Sequence, residues 1–117
     1  MTRLFVYGTL KRGCRSHPLI ANQVYIGETR TVPGFRLFHL GQYPGMVRSP
    51  DSSSSVSGEL YLIDGACLQA LDAFEGIPEG LYSREWIELA PPSEAAFAYL
   101  YLLTTEGRQP LDGTWTE

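Results

Sequence analysis

Cysteine, histidine, clustered positive charge and long apolar runs are all scarce in this chain, and each scarcity closes off a class of function. Among 117 residues there are two cysteines, Cys14 and Cys67, and two histidines, His17 and His39. Two cysteines make no metal site by themselves and need not pair. Cys67 falls inside a helical pattern and reads as a small buried hydrophobe. The histidines are too few and too scattered to read as metal ligands. Cys14 and His17 stand three residues apart, but spacing alone does not make a nucleophile and its base. No apolar run approaches the ~18–20 residues that cross a bilayer. The apolar start Leu4-Phe5-Val6 is cut off by Tyr7-Gly8-Thr9, and Lys11 and Arg12 follow on the wrong side for a signal peptide. The expectation is therefore a cytoplasmic protein with no membrane partner. Nine Lys and Arg against 13 Asp and Glu give a net charge of −4. The nearest thing to a basic cluster is Lys11, Arg12 and Arg15 around one turn, which reads as a solvated turn, so nucleic acid is not an expected partner.

What is present is ordinary globular material: 44% hydrophobic and 19% charged residues in a length that suits one domain, residues 1–117. Leu4-Phe5-Val6-Tyr7 is a β-prone apolar run ended by Gly8 and reads as a buried strand entering a turn. Ser16-His17-Pro18 starts a short helix over Leu19-Ile20-Ala21. Residues 24–29 and 34–38 read as strands, and 42–47 as a Pro-Gly turn with apolar flanks. Residues 51–55 form a serine-rich loop. Residues 56–63 then alternate, with Val56, Gly58, Leu60 and Leu62 on one face. Asp64 caps a helix over residues 66–74 that Gly76 stops. Residues 82–89 read as a strand with Tyr82, Arg84 and Trp86 on one face. Residues 97–103 are apolar on both faces and read as a central strand, and the tail from Thr104 as a loop pinned by Trp115. Roughly six strands joined by short turns around one main helix make this an α+β fold, with short helical turns and a small barrel-like, mostly antiparallel mixed sheet.

The informative anomaly is an acid in an apolar stripe. Leu68, Leu71 and Glu75 follow i, i+3, i+7 spacing and share a helix face, which Cys67 and Phe74 extend on one side and Asp72 borders on the other. A carboxylate withdrawn from water without a partner favours its neutral form. The carbonyls exposed at a helix end push the same way. Both effects raise the pKa toward the range useful for proton transfer at neutral pH. The alternative is a structural Glu75 that snorkels past Gly76 or pairs with Arg84.

The second candidate is the turn Tyr7-Gly8-Thr9-Leu10. A glycine directly after a buried strand lets backbone N–H groups approach a ligand, and successive N–H groups form an anion-binding nest suited to a carboxylate or a developing oxyanion. The spaced second glycine and the Gly-Lys-Ser/Thr ending of a phosphate loop are missing, as is a dinucleotide fingerprint. The alternative is an ordinary tight turn.

Taken together these pieces resemble one family. Phe5-Val6-Tyr7-Gly8-Thr9-Leu10-Lys11-Arg12-Gly13 resembles the opening of gamma-glutamylcyclotransferase-like proteins. Tyr43-Pro44-Gly45-Met46-Val47, Gly58-Glu59-Leu60-Tyr61, Leu71-Asp72-Ala73-Phe74-Glu75-Gly76, Tyr82-Ser83-Arg84-Glu85 and Ala98-Tyr99-Leu100-Tyr101 follow in that family's order across nearly the whole chain. Short members, among them gamma-glutamylamine cyclotransferases and small bacterial homologues, look most similar. The resemblance implies a small α+β fold with a barrel-like sheet. It implies a cofactor-free, metal-free cyclisation in which the α-amine of a γ-glutamyl group attacks its own γ-carbonyl, giving 5-oxoproline and a free amine or amino acid. By motif, the Tyr7–Leu10 turn would hold the glutamyl moiety and Glu75 would be the general acid/base. Tyr43, Tyr82 and Tyr101 are further candidates to position the substrate, each otherwise a packed aromatic. Arg84 would support Glu75 or a neighbouring carboxylate, and Asp72 would cap a loop or pair with an arginine. The implied partner is a small γ-glutamyl compound, and the implied state is a monomer or weak homodimer. Two other readings stand beside it: a non-catalytic ligand-binding or regulatory module that keeps the pocket, and an enzyme that removes a γ-glutamyl protecting group from a biosynthetic intermediate.

Overall fold

In the computed structural model, which describes residues 1–117, the first strand, β1 (Thr2–Val6), is buried from Leu4 onward. It runs antiparallel to β5 (Ser57–Ile63) on one side, with Leu4 opposite Tyr61. On its other side it runs parallel to β7 (Ala96–Tyr101). β2 (Val24–Arg30) and β6 (Tyr82–Ile87) form the edges, so the larger sheet has the order β2-β5-β1-β7-β6. A second sheet of order β4-β3-β8 comprises β3 (Phe35–His39), β4 (Pro44–Arg48) and β8 (Gln109–Leu111). The architecture is the expected α+β one. The sheets are separate ladders, and no ladder joins them into a closed barrel.

Both faces of the five-stranded sheet are covered, which explains the unbroken apolar character of β1 and β7. Phe5, Leu60, Ala98 and Leu100 pack toward Phe35, Leu37 and Met46 of the second sheet. Leu4, Val6, Tyr61, Ile63 and Tyr99 pack toward Leu71 of the helix α1 (Gly65–Phe74). Leu71 is 1% exposed; burying such a side chain stabilises by about 2–3 kcal/mol.

Three sequence expectations change. Residues 44–48 are a strand rather than a Pro-Gly turn: Pro44 is its first residue, where the missing N–H costs least, and the strand lies on a sheet edge. The tail is not only loop, because Gln109–Leu111 pairs with β3; Trp115 is buried as expected. In β5 the alternation does not separate core from solvent: Gly58, Glu59, Leu60 and Tyr61 are all buried, because α1 and the second sheet cover opposite faces. No helix is long and apolar enough to cross a membrane.

Candidate active site

The end of α1 sets the position of the acid. Asp64 accepts a hydrogen bond from the Cys67 N–H at 2.7 Å and starts the helix. Gly76 stops it at φ +74°. Its N–H donates to the Ala73 carbonyl (3.2 Å), and the Ile77 N–H donates to that of Asp72 (3.0 Å), the paired bonds of a Schellman cap. Glu75 is therefore the last residue in helical conformation. On the face predicted from spacing, Leu71 is buried and Cys67 and Leu68 are partly buried. Phe74 departs from the pattern. It is half exposed and lines a cavity instead of the core, since the helix ends before that face closes over.

That cavity has a volume of about 420 Å³ and brings together residues far apart in sequence. Tyr7, Gly8, Thr9 and Leu10 line it from the turn after β1, Glu75 and Phe74 from the helix end, and Tyr82 and Leu81 from the start of β6. Tyr43 and Pro44 line it at the start of β4, and Tyr99 from β7.

The Glu75 carboxylate receives no hydrogen bond and no salt bridge from the chain; the ion pairs all lie elsewhere. Withdrawal from water is the cause that lifts it from the usual carboxylate range to about 7. The structural alternative with Arg84 is not what forms. Arg84 Nε and Nη2 instead donate to Asp72 Oδ1 and Oδ2 at 2.9 and 3.1 Å, and the Tyr99 hydroxyl also donates to Oδ1, at 2.7 Å. The Tyr99 hydroxyl, which shares the cavity with Glu75, and the Arg84 guanidinium are thus both committed to Asp72.

The turn is held through its carbonyls, while three of its N–H groups stay unpaired within the chain. The Lys11 and Ser16 N–H groups donate to the Gly8 and Thr9 carbonyls, whereas the N–H groups of Gly8, Thr9 and Leu10 donate to no atom of the chain. Glycine is required at position 8 for a reason the sequence did not reveal: a β-carbon there would lie 2.9 Å from the Pro44 ring. Tyr7 is buried, and its hydroxyl donates to the Tyr99 carbonyl (2.6 Å) while accepting from the Met46 N–H (3.2 Å). The Tyr82 hydroxyl donates to the Pro44 carbonyl at 2.8 Å. Burial, reinforced by the Glu75 charge, pushes both phenols above their ordinary value. Both hydroxyls therefore brace the cavity's own framework.

Tyr101 does not reach the cavity. It is buried and packs edge-on against Tyr82, ring centres 5.4 Å apart, backing the wall. Tyr99 takes the wall position instead. Both face the same side of β7, and their two-residue spacing was the signal that either could serve. Arg15, Ser16 and Gln42 also line the cavity and carried no motif. His17 Nδ1 lies 3.0 Å from the Leu10 carbonyl, so the ring is engaged with the turn rather than with Cys14. No three His, Cys, Asp or Glu side chains converge in a way that would hold a metal ion.

A family model described as gamma-glutamyl cyclotransferase, AIG2-like matches residues 4–117. The chain is 32% identical to the gamma-glutamylcyclotransferase family protein YtfP of Escherichia coli, over 98% of this chain and 96% of that one. It is 32% identical to the gamma-glutamylaminecyclotransferase of Rattus norvegicus, over 90% of this chain and 80% of the rat protein. The crystal structure of an AIG2-like protein from Mus musculus superposes with a TM-score of 0.75 at 30% identity, over 90% of this chain and 78% of that one. The match runs through the turn, the helix end and the strand that supplies Tyr99, and on that ground the chain belongs to the gamma-glutamyl cyclotransferase, AIG2-like family.

Proposed function

We propose that the protein cyclises a small γ-glutamyl amine or peptide to 5-oxoproline and the free amine or amino acid, with Glu75 as the acid–base group. Family membership supports chemistry of gamma-glutamylcyclotransferase type. The observation that supports the finer reading is that one cavity is lined both by a carboxylate without a partner and by Gly8, Thr9 and Leu10, whose N–H groups donate to no atom of the chain.

The reaction fits that pairing. The α-amino nitrogen forms a bond to the γ-carbonyl carbon of the same molecule, and the bond from that carbon to the leaving nitrogen breaks. One proton leaves the attacking amine and one arrives on the departing amine. A single carboxylate within reach of both nitrogens carries that proton, and its pKa near 7 lets it accept and return it at neutral pH. The Gly8–Leu10 N–H groups supply donors for the glutamyl carboxylate or for the carbonyl oxygen as charge builds on it. Nucleophile and electrophile are already tethered, so the walls need only hold the folded conformer; Tyr43, Tyr82 and Tyr99 form part of them.

The test is 5-oxoproline release by the purified protein from a panel of γ-glutamyl amines and peptides. Turnover is expected for at least one compound, together with a large loss in Glu75→Gln. Wild-type rates in that variant would remove Glu75 from the mechanism, and binding without turnover across the panel would leave a ligand-binding module.

A further inference from the structure

Arg15 is the one basic residue that lines the cavity, and the cyclisation described above does not use it. Ser16, the next residue, donates its N–H to the Thr9 carbonyl at 2.9 Å, so this segment folds back onto the turn that presents the free N–H groups. The guanidinium is fixed. The Arg15 N–H and Nε donate to the Glu117 carboxylate at 2.9 and 3.4 Å, and Nη2 donates to the Gln42 carbonyl. Glu117 is steadied in turn by the Nε1–H of the buried Trp115 at 3.0 Å. Nη1 donates to no atom of the chain, and the side chain remains 46% exposed, so a preset cation with an open donor stands where the cavity meets solvent.

We infer that Arg15 is a carboxylate-binding point for the leaving group, so that the enzyme favours γ-glutamyl compounds whose departing amine carries a carboxylate. This rests on the proposed cyclisation: the glutamyl end is committed to the free N–H groups and Glu75, and the part of the substrate that extends toward the mouth is the departing amine. The free Nη1 donor of a guanidinium suits a carboxylate oxygen and disfavours an ammonium. The expected order is carboxylate-bearing, then neutral, then cationic leaving groups. Because the guanidinium is half exposed, the preference over a neutral group is about tenfold, the worth of one charge-assisted hydrogen bond at the low end of its range.

The experiment compares substrates that differ only by that carboxylate: γ-glutamylalanine against γ-glutamylethylamide, and γ-glutamyl-4-aminobutyrate against γ-glutamylpropylamide. The kcat/KM ratio is expected to reach about tenfold in at least one pair, to collapse toward one in Arg15→Gln, and to survive in part in Arg15→Lys. Ratios under about twofold in both pairs for the wild type, or a tenfold ratio left intact in Arg15→Gln, overturn the inference. A parallel fall for both members of a pair keeps the ratio and so counts against it. If no compound is turned over, the cyclisation fails separately, and calorimetric binding of the same pairs decides the subsite: a preference for the carboxylate member that Arg15→Gln abolishes supports it, and equal affinities sink it.

Discussion

Glu59 is the more deeply buried of the two interior glutamates, at 7% exposure, yet Glu75 is the one left without a partner. Around Glu59 both carboxylate oxygens are engaged. The Arg12 N–H and the Tyr61 hydroxyl donate to one oxygen at 2.9 and 3.1 Å, and Arg12 Nε donates to the other at 3.3 Å. Burial there is matched by donors, and the acid ties the turn after β1 to β5. At the helix end the cavity-lining Tyr99 hydroxyl donates to Asp72, as does Arg84, and Glu75 lines the cavity without a partner. Burial depth therefore does not separate the two carboxylates in this molecule; hydrogen-bond supply does, and it singles out Glu75 as the candidate for chemistry.

The sharpest way to break this contrast is to neutralise the two acids in turn. Glu75→Gln preserves shape and removes the carboxylate proposed to carry the proton. Turnover is expected to fall roughly 10²–10⁴-fold with the fold intact, measured as 5-oxoproline release beside a thermal melt. If Glu59→Gln caused the larger loss of kcat in a folded protein, the contrast would be reversed.

The next effect is on pH. Glu75 binds its proton up to about pH 7 in the folded chain, against 4.5 for an ordinary glutamate. The folded state then holds more protons than the unfolded state between those limits, so stability falls as pH rises through them. At ~1.4 kcal/mol per pH unit the full difference is about 3 kcal/mol. Urea denaturation is expected to show Glu75→Gln matching the wild type near pH 4.5 and exceeding it by up to about that amount at pH 8. In activity, the acidic limb of kcat/KM should have an apparent pKa near 7. An acidic limb near 4.5 and no stability difference between the two proteins across this range would mean that the carboxylate is solvated.

Much of this contrast was legible in the sequence, and the illegible part has a common cause. Asp64 and Gly76 mark the helix ends because caps are local, and the apolar spacing placed Glu75 on the inward face. The partners of each acid were not legible. Asp72, Arg84 and Tyr99 meet only when α1, β6 and β7 pack together, and nothing local distinguishes Tyr99 from Tyr101 two residues on. The strand at residues 44–48 was hidden by Pro44-Gly45, a turn signal overridden by pairing with β3. Gln109–Leu111 was hidden by its length, three residues with a central proline. Glu59 read as one polar position in an alternating strand, and only the second covered face of the sheet made it a buried one.

Removing the satisfied acid should act on stability first. Glu59→Ala leaves the Arg12 N–H and the Tyr61 hydroxyl without their acceptor. Arg12 is half exposed and its guanidinium can turn to water, so the expected loss is about 2 kcal/mol, below that of a fully buried pair. Because the same bond anchors the turn, a rise in KM should accompany it, with kcat less affected. Denaturant midpoints and steady-state kinetics on the same preparation separate the two.

The smallest expected effect is the most diagnostic. Asp72→Asn keeps the side-chain shape and weakens the hold on Arg84 and Tyr99, at about 1 kcal/mol in stability for a partly exposed pair. If hydrogen-bond supply is what distinguishes the two glutamates, loosening this acceptor frees the Tyr99 hydroxyl, which shares the cavity with Glu75. A hydrogen bond from it would favour the charged carboxylate. The acidic limb of kcat/KM should then move below its wild-type position near pH 7, while a purely structural role for Asp72 would lower the rate without moving the limb.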